Sequence, residues 1–115
     1  MQMQLVSDFL VRTLSDEMLT SEQLHTQGER LMEALLDLEG CNPQMSTPAT
    51  ASDAKNGVVT VELLMEASEA SEAVRLADAI TRTAIHAIGG ATPDWDALRT
   101  SATRFEPQNV QVEYV

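Results

Sequence analysis

The sequence lacks the features that carry a chain into or across a membrane. No apolar run approaches the roughly 18 residues that a membrane-spanning helix requires. Residues 1–4, Met-Gln-Met-Gln, have neither the basic residues nor the uninterrupted apolar stretch of a secretion signal. The single cysteine, Cys41, can form no internal disulfide. We expect a soluble, cytoplasmic protein, and its 115 residues predict a single domain, residues 1–115.

Positive charge is also scarce. Seven Lys and Arg stand against 18 Asp and Glu, the formal net charge is -11, and Lys55 is the only lysine. A field of this sign repels the phosphate backbone, so we expect no nucleic-acid partner. An acidic surface that mimics DNA would align its carboxylates in rows. Here they are scattered through both predicted helices, and solubility is the simpler explanation.

No motif for catalysis, a cofactor or a metal stands out. Cys41 follows the end of a predicted helix, where the helix dipole does not stabilise a thiolate, and no His is near it in sequence. A polar stripe on the first predicted helix consists of His25, Glu29, Glu22 and Glu33. Two histidines in the chain are too few for a convincing zinc site. The pair Gly89-Gly90 follows a helix and so presents no helix N–H groups to a phosphate. We therefore predict no catalytic residue, no cofactor and no metal.

The sequence does contain a repeated order of elements. An extended apolar stretch, an amphipathic helix and a second extended stretch occupy residues 1–53, and the same series recurs over residues 57–115. Two such units predict an α+β ferredoxin-like β-α-β-β-α-β sandwich. Its four-stranded antiparallel sheet would have the order 4-1-3-2, with two helices on one face. The alternative, a helical hairpin with peripheral strands, would leave the apolar stretch 58–65 without neighbours.

The first helix has clear boundary signals. Alternating apolar residues over 3–11 predict the strand before it. Thr20 and Gln23 form a capping box at the helix start. Gly40 lies where a left-handed cap would end the helix.

The outer strands of the predicted sheet are marked by proline, which cannot donate to a strand ladder. The stretch 44–53 contains Pro48, and the final strand contains Pro107. Between them, Asn56-Gly57 indicates a hairpin turn that leads into the apolar strand 58–65. We therefore place the first and third strands at the centre of the sheet.

The second helix is predicted to begin at a serine cap, Ser68 or Ser71, and to stop at Gly89-Gly90. Residues 91–101 are predicted to be a loop, or a short helical turn that begins at Pro93.

In this fold one sheet face is free of helices. Its apolar residues here would be Val6, Leu10, Val58 and Leu64. They surround Asp8 and Glu62 and make the face more apolar than a solvated sheet face requires. We predict that two copies pair through this free face as a symmetric homodimer.

Chain direction in this topology brings the loop after the first strand, the central hairpin and the segment after the second helix to one end. That end gathers Asp16, Glu17, Asp53, Asp94, Asp96 and Trp95. We predict that this acidic end binds an unidentified basic protein, with the only Trp as anchor and the carboxylates speeding association. The alternative is that Trp95 plugs one end of the core. Cys41 and both termini are expected at the opposite end.

Three strings carry a resemblance to a protein family. They are Leu-Asp-Leu-Glu-Gly-Cys-Asn-Pro at 36–43, Val-Thr-Val-Glu-Leu at 59–63 and His-Ala-Ile-Gly-Gly-Ala-Thr-Pro-Asp-Trp at 86–95. Together they are similar to small acidic actinobacterial or phage proteins of unassigned function. The resemblance implies a bacterial or phage cytosolic origin and no activity.

These observations predict a non-catalytic protein–protein interaction or regulatory module. The alternative is a small-ligand sensor that resembles ACT-type regulatory domains. Less favoured are an acidic DNA mimic and a dimeric α+β-barrel enzyme, for which the sheet face offers no strong polar cluster.

Overall fold

Two helices alternate with the strands of one sheet along the chain. The computed structural model describes residues 1–93 and 103–115. Its elements are β1 Gln2–Thr13, α1 Ser21–Glu39, β2 Met45–Asp53, β3 Val58–Glu66, α2 Ala70–Ala87, β4 Gly90–Ala91 and β5 Thr103–Tyr114. The predicted α+β class is confirmed. Within these residues, neither helix is long and apolar enough to cross a membrane.

The five strands have the order β2-β3-β1-β5-β4. β1 pairs antiparallel with β3 and with β5, and β2 pairs antiparallel with β3. The central positions of β1 and β3 and the edge position of β2 are as predicted. The four-stranded antiparallel sheet, however, is wrong, because the short strand β4 runs parallel to the start of β5. The sheet is therefore mixed. At the start of β5 the outermost strand is β4 and not β5.

β4 depends on a close backbone approach. A Cβ atom at Gly90 would lie 2.7 Å from Cγ2 of Ile85 and 3.0 Å from the ring of Phe105. A strand of two residues has no hydrophobic alternation, so the sequence pattern could not reveal it. Ala91, predicted to begin a loop, belongs to this strand, and residues 94–102 lie outside the described part of the chain.

The core lies between the two helices and one sheet face, which we call the helix-side face. The register of β1 and β3 sets Leu5 opposite Leu63 and Phe9 opposite Val59 on this face. The rings of Phe9 and Phe105 meet edge to face, with centroids 6.4 Å apart. Fully buried side chains of the same cluster include Met3, Leu24, Leu31, Leu35, Met65 and Ile85.

The predicted start of α1 and its predicted end at Gly40 are confirmed, but the predicted conformation of the end cap is not. Thr20 is the N-cap, and both hydrogen bonds of the capping box to Gln23 are present. Gly40 has φ -64° and ψ -22°, which is right-handed, so the left-handed cap is wrong. The end of the helix is satisfied by Asn42 instead, whose Nδ2 donates to the carbonyl of Leu38 at 2.8 Å.

The serine caps predicted for α2 are also wrong. Its N-cap is Glu69, whose side chain makes no cap hydrogen bond. The Ser68 hydroxyl donates to the Glu72 carboxylate at 2.9 Å and is therefore occupied elsewhere. The predicted stop is confirmed: the helix ends at Ala87, and Gly89 follows with φ +86°, a conformation that favours glycine.

Candidate functional site

The helices leave part of the helix-side face uncovered. The uncovered part is an open groove of about 440 Å³ between α2 and the strands β1 and β5. Leu5 and Phe9 form its floor, Val74 and Ala77 form one wall, and Val110 of β5 lies on the other side. We call this cavity the α2 groove. It is the most apolar of the concavities described for residues 1–93 and 103–115.

Small side chains and a strand irregularity create the α2 groove. Ser7 follows Leu5 and precedes Phe9 on the helix-side face of β1, and it leaves a gap where a larger residue would fill the space. The register between β1 and β5 shifts between Asp8 and Phe9, which sets Pro107 opposite Phe9. The apolar pattern of the sequence did not indicate this site. Its one sequence signal was the serine that interrupts the apolar alternation of the first strand.

Polar side chains lie along the rim of the α2 groove. On α2 they are Ser71, Arg75 and Asp78, and on β5 the rim includes Asn109, whereas Thr81 lines the groove from a buried position. The Asp78 carboxylate lies 3.5 Å from Nε of Arg82. Within the described ranges, no carboxylate pairs with the guanidinium of Arg75, which is exposed. The groove therefore combines an apolar interior with one cation, Arg75, and one ion-paired carboxylate, Asp78, at its edge.

The four residues predicted for the dimer interface lie on one sheet face. Leu10 is directly opposite Val58, while Val6 faces Glu62 and Leu64 faces Gln4. All four apolar side chains are half-buried. A polar pair separates them, because the Thr60 hydroxyl donates to the Asp8 carboxylate at 2.6 Å. The four residues therefore do share the sheet face that the helices leave free. The dimer contact through this face stays a prediction.

The acidic end is assembled in part as predicted. Val11 N–H donates to the carbonyl of Gly57, which holds the central hairpin beside the loop that follows β1. In that loop Asp16 lies 2.9 Å from Nη2 of Arg104, so one carboxylate of the predicted acidic end is paired with a cation. Glu17 is exposed, and its N–H is bonded to the Thr13 hydroxyl. Asp94, Trp95 and Asp96 lie outside the described residues, and their role stays a prediction.

Cys41 and both termini lie at the other end, as predicted. The N-terminal ammonium group contacts the Glu66 carboxylate at 2.7 Å, and Val115 N–H donates to the carbonyl of Gln2. Glu66 N–H in turn donates to the carbonyl of Gln44, close to the exposed Cys41 thiol along the chain.

The polar stripe on α1 borders a second cleft, of about 460 Å³, against β2. His25 Nε2 lies 2.7 Å from Oε1 of Glu29, and both side chains are about two-thirds exposed, at 68% and 66%. Glu33 lines the same cleft. Among the residues that the structure describes, no three His, Cys, Asp or Glu side chains are close enough together to hold a metal ion.

These features define an α+β protein with a mixed five-stranded sheet and an apolar groove beside its second helix. Comparison with protein families, curated proteins and solved structures gave no match to this chain.

Proposed function

We propose that this protein is a non-catalytic, cytoplasmic regulatory module that binds a small, mainly apolar ligand in the α2 groove. The observation that carries the proposal is the groove itself. A volume of about 440 Å³ lies within the size range of small-molecule sites, and its floor of Leu5 and Phe9 is apolar. The alternative function that the sequence predicted, a small-ligand sensor that resembles ACT-type domains, would need a site of this kind. The order of the four long strands supports a ferredoxin-like core to which β4 has been added.

The rim suggests which ligand chemistry fits. Arg75 lies at the edge of the groove without a carboxylate partner among the described residues, whereas Asp78 is beside Arg82. A guanidinium in this position suits a carboxylate, with which it can form two parallel hydrogen bonds. We therefore expect an apolar body that carries one acidic group.

Thermal unfolding of the full chain against matched compounds tests this function. The panel pairs branched aliphatic and aromatic carboxylic acids with their amides. A ligand at about 100 times its Kd stabilises the folded protein by about 2.7 kcal/mol, so binding raises the Tm, and tighter binding raises it more at the same ligand concentration. We expect the acids to raise it more than the amides, and Arg75→Gln to remove that difference. A flat response across the panel contradicts the proposal.

A pair of α2 variants locates the binding. Val74→Phe fills the groove from its helix wall, and Ala87→Phe adds the same ring at an exposed position at the end of the helix. The Tm shift should be lost in the first variant and kept in the second. If the ligand raises the Tm of both variants equally, it binds outside the α2 groove.

The second candidate is a protein–protein interaction module that pairs through the free sheet face. The observation that favours it is the alignment of Leu10 with Val58 on the same face as Val6. The double variant Val6→Glu/Leu10→Glu should then be a folded monomer in sedimentation experiments. If the unmodified protein is already monomeric at high micromolar concentration, this candidate is wrong.

A further inference from the structure

Among the residues that the structure describes, the outer edge of β5 has no strand partner along most of its length. β5 has 12 residues, and β4 pairs only with Thr103 and Arg104 at its start. Within residues 1–93 and 103–115, no strand lies beside the stretch from Phe105 to Tyr114 on that side. Among the described residues, the backbone groups of this stretch therefore have no strand partner on that side and can pair with another chain.

The direction of these groups follows from one hydrogen bond. Val115 N–H donates to the carbonyl of Gln2 in β1 at 3.0 Å, so the backbone of Val115 points inward. Directions alternate along a strand. The N–H and C=O groups of Val110, Val112 and Tyr114 therefore point to the open edge.

The side chains of the same three residues are apolar and share the helix-side face. Val110 is 48% exposed and Tyr114 is 65% exposed, while Val112 packs against the core. The segment 108–115 contains no lysine and no proline, the residues that commonly protect an exposed edge. An edge that is both unpaired and apolar is suited to association.

We infer that a second copy of this chain pairs antiparallel along the edge of β5, with Val112 opposite Val112. In this register Val110 faces Tyr114 of the second copy, and Tyr114 faces Val110, so each aromatic ring meets a β-branched side chain. Three pairs then exchange two backbone hydrogen bonds each, about six in all. Gln111 faces Glu113 on the other sheet face, so no two carboxylates oppose each other.

Neighbouring registers are less favourable. A shift of two residues in one direction sets Glu113 opposite Glu113, which is a repulsive pair. A shift of two in the other direction sets Tyr114 opposite Gln108, the extra residue at the irregularity of β5. The register centred on Val112 avoids both, and a second copy of this chain always carries the complementary sequence that this register requires.

This strand pairing would also change the α2 groove. The pairing itself does not depend on a bound ligand. Val110 lines the open side of the groove. Tyr114 of the second copy would stand directly beside it, within about 5.5 Å between Cβ atoms, and would extend the apolar wall. The edge of β5 and the free sheet face are separate surfaces, so variants can distinguish the two contacts.

Charge variants of the full chain test the register by sedimentation equilibrium. Val110→Lys/Tyr114→Lys sets like charges opposite each other and should give a monomer. Val110→Lys/Tyr114→Glu sets opposite charges together and should keep the dimer. Leu36→Lys, at a residue that is 48% exposed on α1, is the control and should leave the dimer intact. A dimer that survives in the double-lysine variant but dissociates in Val6→Glu/Leu10→Glu overturns the inference, as does a monomeric unmodified chain.

Oxidative cross-linking gives an independent readout that does not rely on losing the dimer. In a Cys41→Ser background, Val112→Cys should form an intermolecular disulfide, because directly opposed residues lie at a suitable Cα separation of about 5.5 Å. Glu113→Cys should cross-link poorly, since it faces Gln111 and not itself. Efficient cross-linking only through residue 113 would contradict the register. The absence of cross-linking through residue 112 would contradict the pairing of two β5 edges.

Discussion

At the scale of single residues, the start of α1 depends on the Thr20 side chain. Its Oγ1 accepts a hydrogen bond from Gln23 N–H at 3.2 Å, and Gln23 Oε1 accepts one from Thr20 N–H at 2.9 Å. Thr20→Ala leaves a helix N–H without its partner, so we expect the free energy of unfolding to fall by about 1 kcal/mol. Urea unfolding measures the change. Ser21→Ala, at the next exposed position, is the control, and an equal loss there would argue against the cap.

Asp53 is the residue whose titration the structure perturbs most clearly. The Asn56 side chain donates to its carboxylate at 2.7 Å, and this bond is the main cause that holds the pKa of Asp53 below its ordinary value of 3.8. A lowered pKa in the folded state means that ionised Asp53 favours folding above the unfolded pKa. That contribution is lost as the pH falls through the lower, folded pKa.

We expect Asn56→Ala to raise the pKa of Asp53 toward its ordinary value, as measured by NMR titration of the carboxyl carbon. Lys55→Gln is the matched control, because the charge of Lys55 is the smallest of the causes and should move the pKa less. A larger shift from the Lys55 variant would mean that charge, and not the hydrogen bond, dominates.

At the scale of elements, two glycines make opposite predictions. A Cβ atom at Gly28 in α1 would come no closer than 4.0 Å to a neighbour, Oγ1 of Thr50, which is ordinary contact. Gly28→Ala should therefore stabilise the protein by about 0.5–1 kcal/mol, because glycine is costly inside a helix. Gly90→Ala meets Ile85 and Phe105 at 3.0 Å or less and should destabilise it by about 1–3 kcal/mol. Thermal unfolding of the two variants compares them directly, and shifts of the same sign would contradict the packing described for α1 or for β4.

The two edges of the sheet are protected unequally. On β2 the pairing with β3 is interrupted between Ser46 and Ala49, where Pro48 lies and Thr47 has φ +45°. A proline and a distorted backbone hinder the addition of another strand. The edge of β5 beyond Pro107 has no such protection, and this asymmetry is why we assign the second copy to β5.

At the scale of the whole molecule, the charge governs which partners can approach. The net charge is -11, and the ion pairs seen among the described residues use several of the few cations, including Arg82 and Arg104. We expect no binding to a labelled DNA duplex at low salt, where attraction between opposite charges would be strongest. Fluorescence anisotropy measures this, with a strongly basic protein as the positive control. Binding that weakens steadily with added salt would contradict the expectation.

Several features of the fold could be predicted because they depend on local physics. The alternation of apolar residues around Leu5 and around Val61 defined β1 and β3, since side chains on a strand alternate between its faces. Thr20 with Gln23 marked the start of α1, and Pro48 marked an edge strand. The placement of Cys41 and the termini at one end followed from chain direction alone.

Other features were decided only when distant segments packed together. The sequence by itself determined the class, the order of the long strands and the faces that become buried, because periodicity and turn residues act within a few positions of the chain. The parallel strand β4 and the α2 groove depend on contacts between segments that are separated along the chain, such as Gly90 against Phe105. The right-handed cap at Gly40 has a local cause that the glycine alone did not indicate, because the Asn42 side chain donates to the carbonyl of Leu38. In the described part of the chain, the edge of β5 likewise stays unpaired beyond Arg104, because β4 pairs with only the first two residues of β5. The candidate sites therefore lie where packing between elements is incomplete, a property that no local pattern records.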